Sequence, residues 1–579
     1  MSGSLEREGL PDSARIDLRL DVKVPMRDGA HLSSIIYLPR DRPLPAPSIC
    51  AMTPYSADGW HVFGVYFAAR GLPFVIADVR GRGNSEGDFL PHRQEASDGC
   101  DLVEWLAKQP FCNGQVGMYG ASYMGQVQWA TITEKPPHLN TIVPTAAPYL
   151  GVDVPMRNNI FYSFNLRWAI LTGGRTLQTK IAGDDQWWSA VLRRWHRSGR
   201  RFRALDAECG NPSAHFQAEL NHPEPDAYWD AQNPASEDYA RLQIPILTIT
   251  GAYDDEQSGA LEHYRRHHRS AAGTASARHY LLIGPWDHAG TQWPTAQFGG
   301  FEFESSSVID MRALHVDWYR WTLMAGPPPP LLKKPVTYYM TGAGEWRYAQ
   351  SLAAISGREN VYYLASRGGA NDLYTAGSLT LHPSEGPPDS YTYDPRISDG
   401  PELEAEIAAQ GRWLVDQGVA HALSGRLLVY HTDPLPEPLE IAGFFKLSAW
   451  IAIDCPDTDL YVSIHEIDAR GGSLRLSTDA LRARYRLGLR TPRLVDSTEP
   501  LKYSFEQFTF VARRVQRGCR LRLIIAPMGR LIDAIFNQKN FNGGGIVAEE
   551  SCADGRPVTV SLFHDKARPS VLHVPLAGA

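Results

Sequence analysis

The chain of 579 residues is too long for one ordinary hydrophobic core, and 43% apolar with 21% charged residues is the composition of a folded, multidomain protein. A net charge of −7 with only short Lys/Arg runs excludes an electrostatic nucleic-acid binder. No run of about 18 apolar residues occurs and the seven scattered cysteines form no CxxC pair, so no membrane span, disulfide framework or zinc site is expected.

The first twenty residues, MSGSLEREGLPDSARIDLRL, carry acidic side chains and no apolar core of signal-peptide length, which predicts a cytoplasmic protein. Three short apolar runs then end in turns: APSICAMTPY, LPFVIADVRG and GQVGMYGAS. Between the last two, DGCDLVEWLAKQ places Leu102, Val103, Trp105 and Leu106 at helical spacing. Alternation of this kind predicts βα units on a largely parallel sheet.

The alternation lapses near Gly151. From there to Leu242 the chain is rich in Arg, Trp and Asn, with helical stretches such as QWWSAVLRRWHRS, and predicts a helical insertion that walls a substrate pocket. Strands return with IPILTITGAYDD and ARHYLLIGPWDHAG; between them LEHYRRHHRS is expected to be a solvated basic helix face. An amphipathic helix in VDWYRWTLMAG, four prolines and a change of texture then close the α/β part. After Lys334 alternating strands with Gly, Pro and Asp turns predict a β-sandwich or jelly roll, in which Trp450 of FKLSAWIAI is expected to face the core. The predicted organisation is an α/β domain over 1–150 and 243–325, a helical cap over 151–242, and a jelly-roll sandwich over 335–579.

GMYGASYMGQVQWA has the parts of a nucleophile elbow: a strand, Ser122 in a turn between Gly120 and Gly125, and a helical pattern after it. Met124 stands where Gly-x-Ser-x-Gly has its second glycine, so a purely structural turn is the alternative. Two later strand ends supply the partners in the order an α/β hydrolase uses, an acid at Asp254 or Asp255 and then His288. A serine hydroxyl needs an imidazole to take its proton, and the imidazole needs a carboxylate to fix its tautomer. The backbone N–H of Tyr123, directly after the serine, is a donor for the oxyanion. The glycines of ADVRGRGNSEG lack GxGxxG spacing and no Lys-Ser/Thr follows, so no nucleotide cofactor is expected.

TPYS, DVRGRGNSEGDF, GMYGASYMGQVQWA, GAYDD and GPWDHAG together resemble the CocE/NonD hydrolases, the family of cocaine esterase, α-amino acid ester hydrolases and X-Pro dipeptidyl-peptidases. The family's Gly-x-Ser-Tyr-x-Gly elbow accounts for Met124. The resemblance covers nearly the whole chain and implies an α/β-hydrolase fold with a helical cap and a C-terminal jelly roll. It implies Ser122 as nucleophile, Asp254 as triad acid, His288 as base and the Tyr55 hydroxyl as a second oxyanion donor. It also implies that Asp78 and Arg80 brace a structural turn.

The family's α-ammonium site uses three carboxylates; Glu256, Gln257 and Asn159 fall at those positions, so one acid of three remains, which favours a neutral acyl group. Phe161, Trp168, Trp187 and Trp188 of the cap, with Trp286, are candidates to line an apolar acyl pocket or to form core. The implied function is acyl-enzyme hydrolysis of a small ester or activated amide, without metal or cofactor and with a homodimer as a mild expectation. X-Pro dipeptidyl-peptidase activity, acyl transfer by the same residues and a non-catalytic binding protein are the alternatives.

Overall fold

The computed structural model describes residues 12–270, 278–397, 411–528 and 538–578. Ten strands form one sheet: β1 (Ile16–Pro25), β2 (His31–Pro39), β3 (Ala46–Thr53), β4 (Phe74–Asp78), β5 (Cys112–Ala121), β6 (Leu139–Thr145), β7 (Ile246–Gly251), β8 (His279–Gly284), β9 (Val336–Met340) and β10 (Glu345–Ala349). Their spatial order is β1-β2-β4-β3-β5-β6-β7-β8-β9-β10. From β4 to β9 neighbouring strands run parallel, while β1, β2 and β10 pair antiparallel at the two edges.

The central strands are apolar on both faces because helices cover both. Along β3 the side chains alternate: Ile49 and Ala51 pack with Phe63, Phe67 and Trp318 on one face, Cys50 and Met52 with Val103, Leu106 and Trp129 on the other. Helix Met311–Met324 is capped by Asp310, whose carboxylate accepts the N–H groups of Arg312 and Ala313. Its Tyr319 hydroxyl donates at 2.9 Å to the carbonyl of Met118, in the strand that leads into Ser122.

Between β6 and β7 the chain forms helices, including Phe164–Leu171, Asp185–Ser198 and Ala214–Leu220, around their own core of Leu166, Trp188, Trp195, Phe202 and Phe216. A small hairpin of Met156–Arg157 and Ile160–Phe161 leads into them. It turns through left-handed Asn158 and Asn159 and docks on the C-terminal part, where the Asn158 amide donates to Asp479 at 2.9 Å.

Among the described residues the C-terminal part links thirteen strands into one hydrogen-bonded system around a main core that includes Leu428, Ile451, Val462, Leu523 and Leu572. The expected start at 335 is corrected: Val336–Met340 pairs parallel with β8, and Glu345–Ala349 returns beside it, so both belong to the first sheet. The proline run breaks the chain's texture before the chain leaves that sheet. Trp450 lies on the half-exposed face of its strand, while Leu447, Ala449 and Ile451 point inward, so its expected core orientation is corrected as well.

Among the described residues no helix is long and apolar enough to cross a membrane. The basic stretch LEHYRRHHRS is also not a solvated face throughout. In helix Gln257–Ser270 the side chains of Leu261, His263, Tyr264 and His267 are buried. His263 stacks on Trp129 at 4.5 Å and meets the Tyr239 hydroxyl at 2.7 Å, and His267 Nδ1 lies 2.9 Å from Nδ1 of His279 in β8.

Burial holds these imidazoles in the neutral form, His263 down to about 3, His267 to about 4 and His279 well below its ordinary value. Only the unfolded chain takes up their protons as the pH drops below about 6.5, so stability is full above that pH and is lost below it. Each such histidine contributes a slope of about 1.4 kcal/mol per pH unit in that window. Urea unfolding is expected to show a midpoint that falls from pH 6.5 to pH 5, less steeply in His263→Gln.

Candidate active site

Ser122 sits between β5 and helix Tyr123–Thr131 with φ +59° and ψ −128°, a backbone that L-residues rarely adopt. The turn holds because the Ser122 N–H donates to Thr145 of β6 at 3.0 Å and its carbonyl accepts from Gly125 and Gln126. A side chain at 125 would start 2.8 Å from the Thr145 carbonyl and 2.9 Å from Ala147 Cβ, so the glycine that lets the helix approach stands at 125. Met124 instead fills core beside Phe63 and Tyr119. The position that looked like a defect in the motif is a packing residue, and the close-approach glycine is one place later.

His288 follows β8 and Asp254 follows β7, and the parallel pairing of the two strands sets their loops side by side. His288 Nδ1 lies 2.8 Å from Asp254 Oδ1. Asp254 is fully buried and accepts from the Thr250 hydroxyl at 2.8 Å and the Glu256 N–H at 3.1 Å, so its charge is satisfied without water. Asp255 Oδ1 stands 3.4 Å from the same nitrogen and is half exposed, so Asp254 is the nearer and the buried partner of His288.

Tyr55 leaves β3 on a loop whose next residue, Ser56, has φ +72°. Its hydroxyl accepts from the Trp168 indole at 2.9 Å. The Tyr123 N–H is at the first helical position, where no intrahelical acceptor exists. The Tyr123 ring stacks on Trp168 at 5.8 Å, and its hydroxyl hydrogen bonds to buried Glu95 and accepts the His92 N–H at 3.2 Å. Burial raises the Glu95 pKa and drives His92 down to about 3, so this support beneath the elbow is uncharged at the histidine.

Glu256, expected among the substrate-binding residues, lies beside the nucleophile itself. The Ser122 hydroxyl donates to its Oε1 at 3.2 Å, while its Oε2 is buried without a hydrogen-bond partner among the described residues. Burial raises its pKa well above the carboxylate range; Asp255, Asp254 and Asp153 push it further and His288 opposes them. For His288, burial works downward but is outweighed by Glu256, Asp255 and Asp254, which lift the imidazole well above its ordinary value.

Trp168 thus reaches the site as an expected lining residue, while six others are held elsewhere. Gln257 is a strut: its amide donates to the Gly251 and Ala252 carbonyls and accepts the Phe510 N–H. Trp286 is fully buried in sheet core, donating to the Ser307 carbonyl. Phe161 is core of the inserted helices. Asn159 faces the sandwich, donating to the Leu489 carbonyl at 2.7 Å and accepting from Arg482. Trp188 belongs to the inserted core, with Trp187 packed edge-on against it.

Asp78 and Arg80 brace separate parts of their turn. Asp78 accepts the Ala57 N–H just after the Tyr55 loop, and Arg80 forms paired hydrogen bonds with Asp98 and one with Asp28. Arg82, passed over in the sequence, is 1% exposed and donates to the carbonyls of Pro54, Thr172 and Gly174. Its signal was an arginine between two glycines in the turn that follows a buried strand. Among the described residues, the group close enough to hold a metal is Asp254, Asp255 and His288, with donor atoms within 4.8 Å of one another. An ion there would take the His288 nitrogen away from Asp254.

A serine in a left-handed elbow of a mostly parallel sheet, with a histidine–carboxylate pair on two later strand ends, defines a serine hydrolase of the α/β-hydrolase fold. Residues 28–290 match the model of the X-Pro dipeptidyl-peptidase (S15 family), and residues 332–532 that of the X-Pro dipeptidyl-peptidase C-terminal non-catalytic domain. The chain belongs to the CocE/NonD hydrolase family. It is 24% identical to cocaine esterase of Rhodococcus sp. (strain MB1 Bresler) over 96% of this chain and 98% of that one. Its fold is that of an α-amino acid ester hydrolase, with a TM-score of 0.82 at 22% identity over the whole of both chains. An aminopeptidase from a marine sediment Thaumarchaeota archaeon matches equally, with a TM-score of 0.82 at 22% identity over 97% of this chain and 96% of that one.

The charges around His288 make a measurable claim. Its imidazole is expected to titrate above 6.5, and Glu256→Gln, by removing a neighbouring carboxylate, is expected to lower that value; ¹⁵N NMR of the histidine side chains reads both.

Proposed function

We propose that the protein hydrolyses esters of small organic molecules through an acyl-enzyme on Ser122. The observation that carries this reading is the 2.8 Å contact of His288 Nδ1 with buried Asp254, which leaves Nε2 as the nitrogen for the serine proton. In the resting arrangement the Ser122 hydroxyl donates to Glu256, so attack begins with rotation of that hydroxyl toward His288. Oγ then bonds to the ester carbonyl carbon while its proton passes to Nε2. The oxyanion is received by the Tyr123 N–H and the Tyr55 hydroxyl. Collapse breaks the bond to the alcohol, which leaves with the proton from His288, and water repeats the sequence to free the acid.

Residues 151–242 act in this account as a cap, an assignment supported by the Trp168 indole on the Tyr55 hydroxyl. The family-model match supports a second reading, cleavage of X-Pro dipeptides, for which Glu256 is the available acid for a free amino terminus. Release of a chromophore from Gly-Pro or Ala-Pro substrates, but not from simple esters, decides for that reading.

Ester hydrolysis is expected to vanish in Ser122→Ala and to fall about 10⁴-fold in kcat for Asp254→Asn, which keeps the shape but reverses the histidine tautomer. Tyr55→Phe is expected to remove about 3 kcal/mol of transition-state stabilisation, read as a fall in kcat/KM. Unchanged turnover in Ser122→Ala contradicts the assignment.

A further inference from the structure

We propose that Arg82 is a positioning residue for the Tyr55 hydroxyl, through which the end of a cap helix sets the oxyanion side of the site. The inference rests on the Ser122 hydrolase reading. Arg82 Nε donates to the Pro54 carbonyl at 2.9 Å, and the N–H of that same peptide unit, on Tyr55, donates to the Thr53 hydroxyl at 3.0 Å. Both ends of the peptide plane that precedes the Tyr55 side chain are therefore held, which fixes the direction in which the phenol leaves the loop.

The other side of the guanidinium reaches the cap. Nη1 donates to Thr172 at 2.6 Å and to Gly174, immediately after helix Phe164–Leu171. That helix carries Trp168, whose indole donates to the Tyr55 hydroxyl. Arg82, the Pro54–Tyr55 peptide, the phenol, the indole and Thr172 thus close a ring of contacts whose two links to the cap join residues 90 and 113 apart in sequence. The neighbouring turn is fastened to the same place, since the Gly83 N–H donates to the Arg175 carbonyl at 2.8 Å.

Arg82 is an expensive way to fill this space. Burial depresses its pKa, Asp78 only partly opposes that, and its hydrogen-bond partners are neutral carbonyls. A rigid fork of donors is what joins carbonyls from two segments at once, and a methionine of similar size supplies none. A displacement of the cap helix is transmitted to the phenol at both its backbone and its hydroxyl, and a misplacement on the order of 1 Å costs about 10²-fold in rate.

The test is a double-mutant cycle on ester hydrolysis with Arg82→Met, Tyr55→Phe and the pair, with kcat and KM resolved and thermal unfolding recorded. Arg82→Met is expected to lower kcat about tenfold to hundredfold with KM little changed, and to add no further loss once Tyr55 is Phe. Arg82→Lys, which keeps the charge but cannot bridge both segments, is expected to lose less and to show the same non-additivity; it serves as the probe if Arg82→Met does not fold. Equal losses in both Tyr55 backgrounds, or a loss confined to KM, overturn the role of Arg82. A Tyr55→Phe enzyme with unchanged kcat overturns the proposal as well, while Ser122→Ala remaining inactive beside it leaves the hydrolase reading standing.

Discussion

The left-handed backbone at Ser122 is the constraint on which the site depends. A non-glycine residue at φ +59° is costly and persists because its surroundings over-determine it: the Thr145 carbonyl from β6, the helix N–H groups of Gly125 and Gln126, and close approach at a position without Cβ. The same geometry lifts the hydroxyl above the sheet edge and aims the first helical N–H groups outward. Tyr319 beneath β5 and the Glu95–Tyr123–His92 group beneath the helix make the elbow part of the core.

Electrostatics decides which carboxylate does what. Asp254 is buried with hydrogen bonds from Thr250, the Glu256 N–H and His288 on its two oxygens; Glu256 is buried with one oxygen unpartnered, and burial raises its pKa. Neighbouring acids in one loop thereby differ in kind. Their summed effect outweighs the burial of His288 and lifts its pKa above the ordinary value, which strengthens the imidazole as a proton acceptor.

Much of this was legible in the sequence because it is written in local order. The elbow needs a strand, a serine and small residues in succession, and the acid and base each follow a strand, so adjacency points to Ser122, to Asp254 or Asp255 and to His288, and the family resemblance selects Asp254. Direction across space is not written that way. Gln257 is adjacent to Glu256, yet one step along a helix turns it away from Ser122 toward the Phe510 backbone. Trp286 is two residues from His288 but points into sheet core, and Asn159 is drawn to the sandwich by Leu489 and Arg482. Strands Val336–Met340 and Glu345–Ala349 were misplaced for the same reason, since a proline run marks a break in the chain and not which sheet receives it.

The inserted helices and the sandwich meet the hydrolase core at defined points, at Trp168 and Arg82 on one side and at Gln257 on the other. The central claim is that Ser122 is the nucleophile of this arrangement. Brief exposure to a fluorophosphonate followed by peptide mapping in a mass spectrometer tests it most directly. The account predicts one adduct, on the peptide containing Ser122 and absent from Ser122→Ala. An adduct on another residue, or an unlabelled wild-type protein, contradicts it.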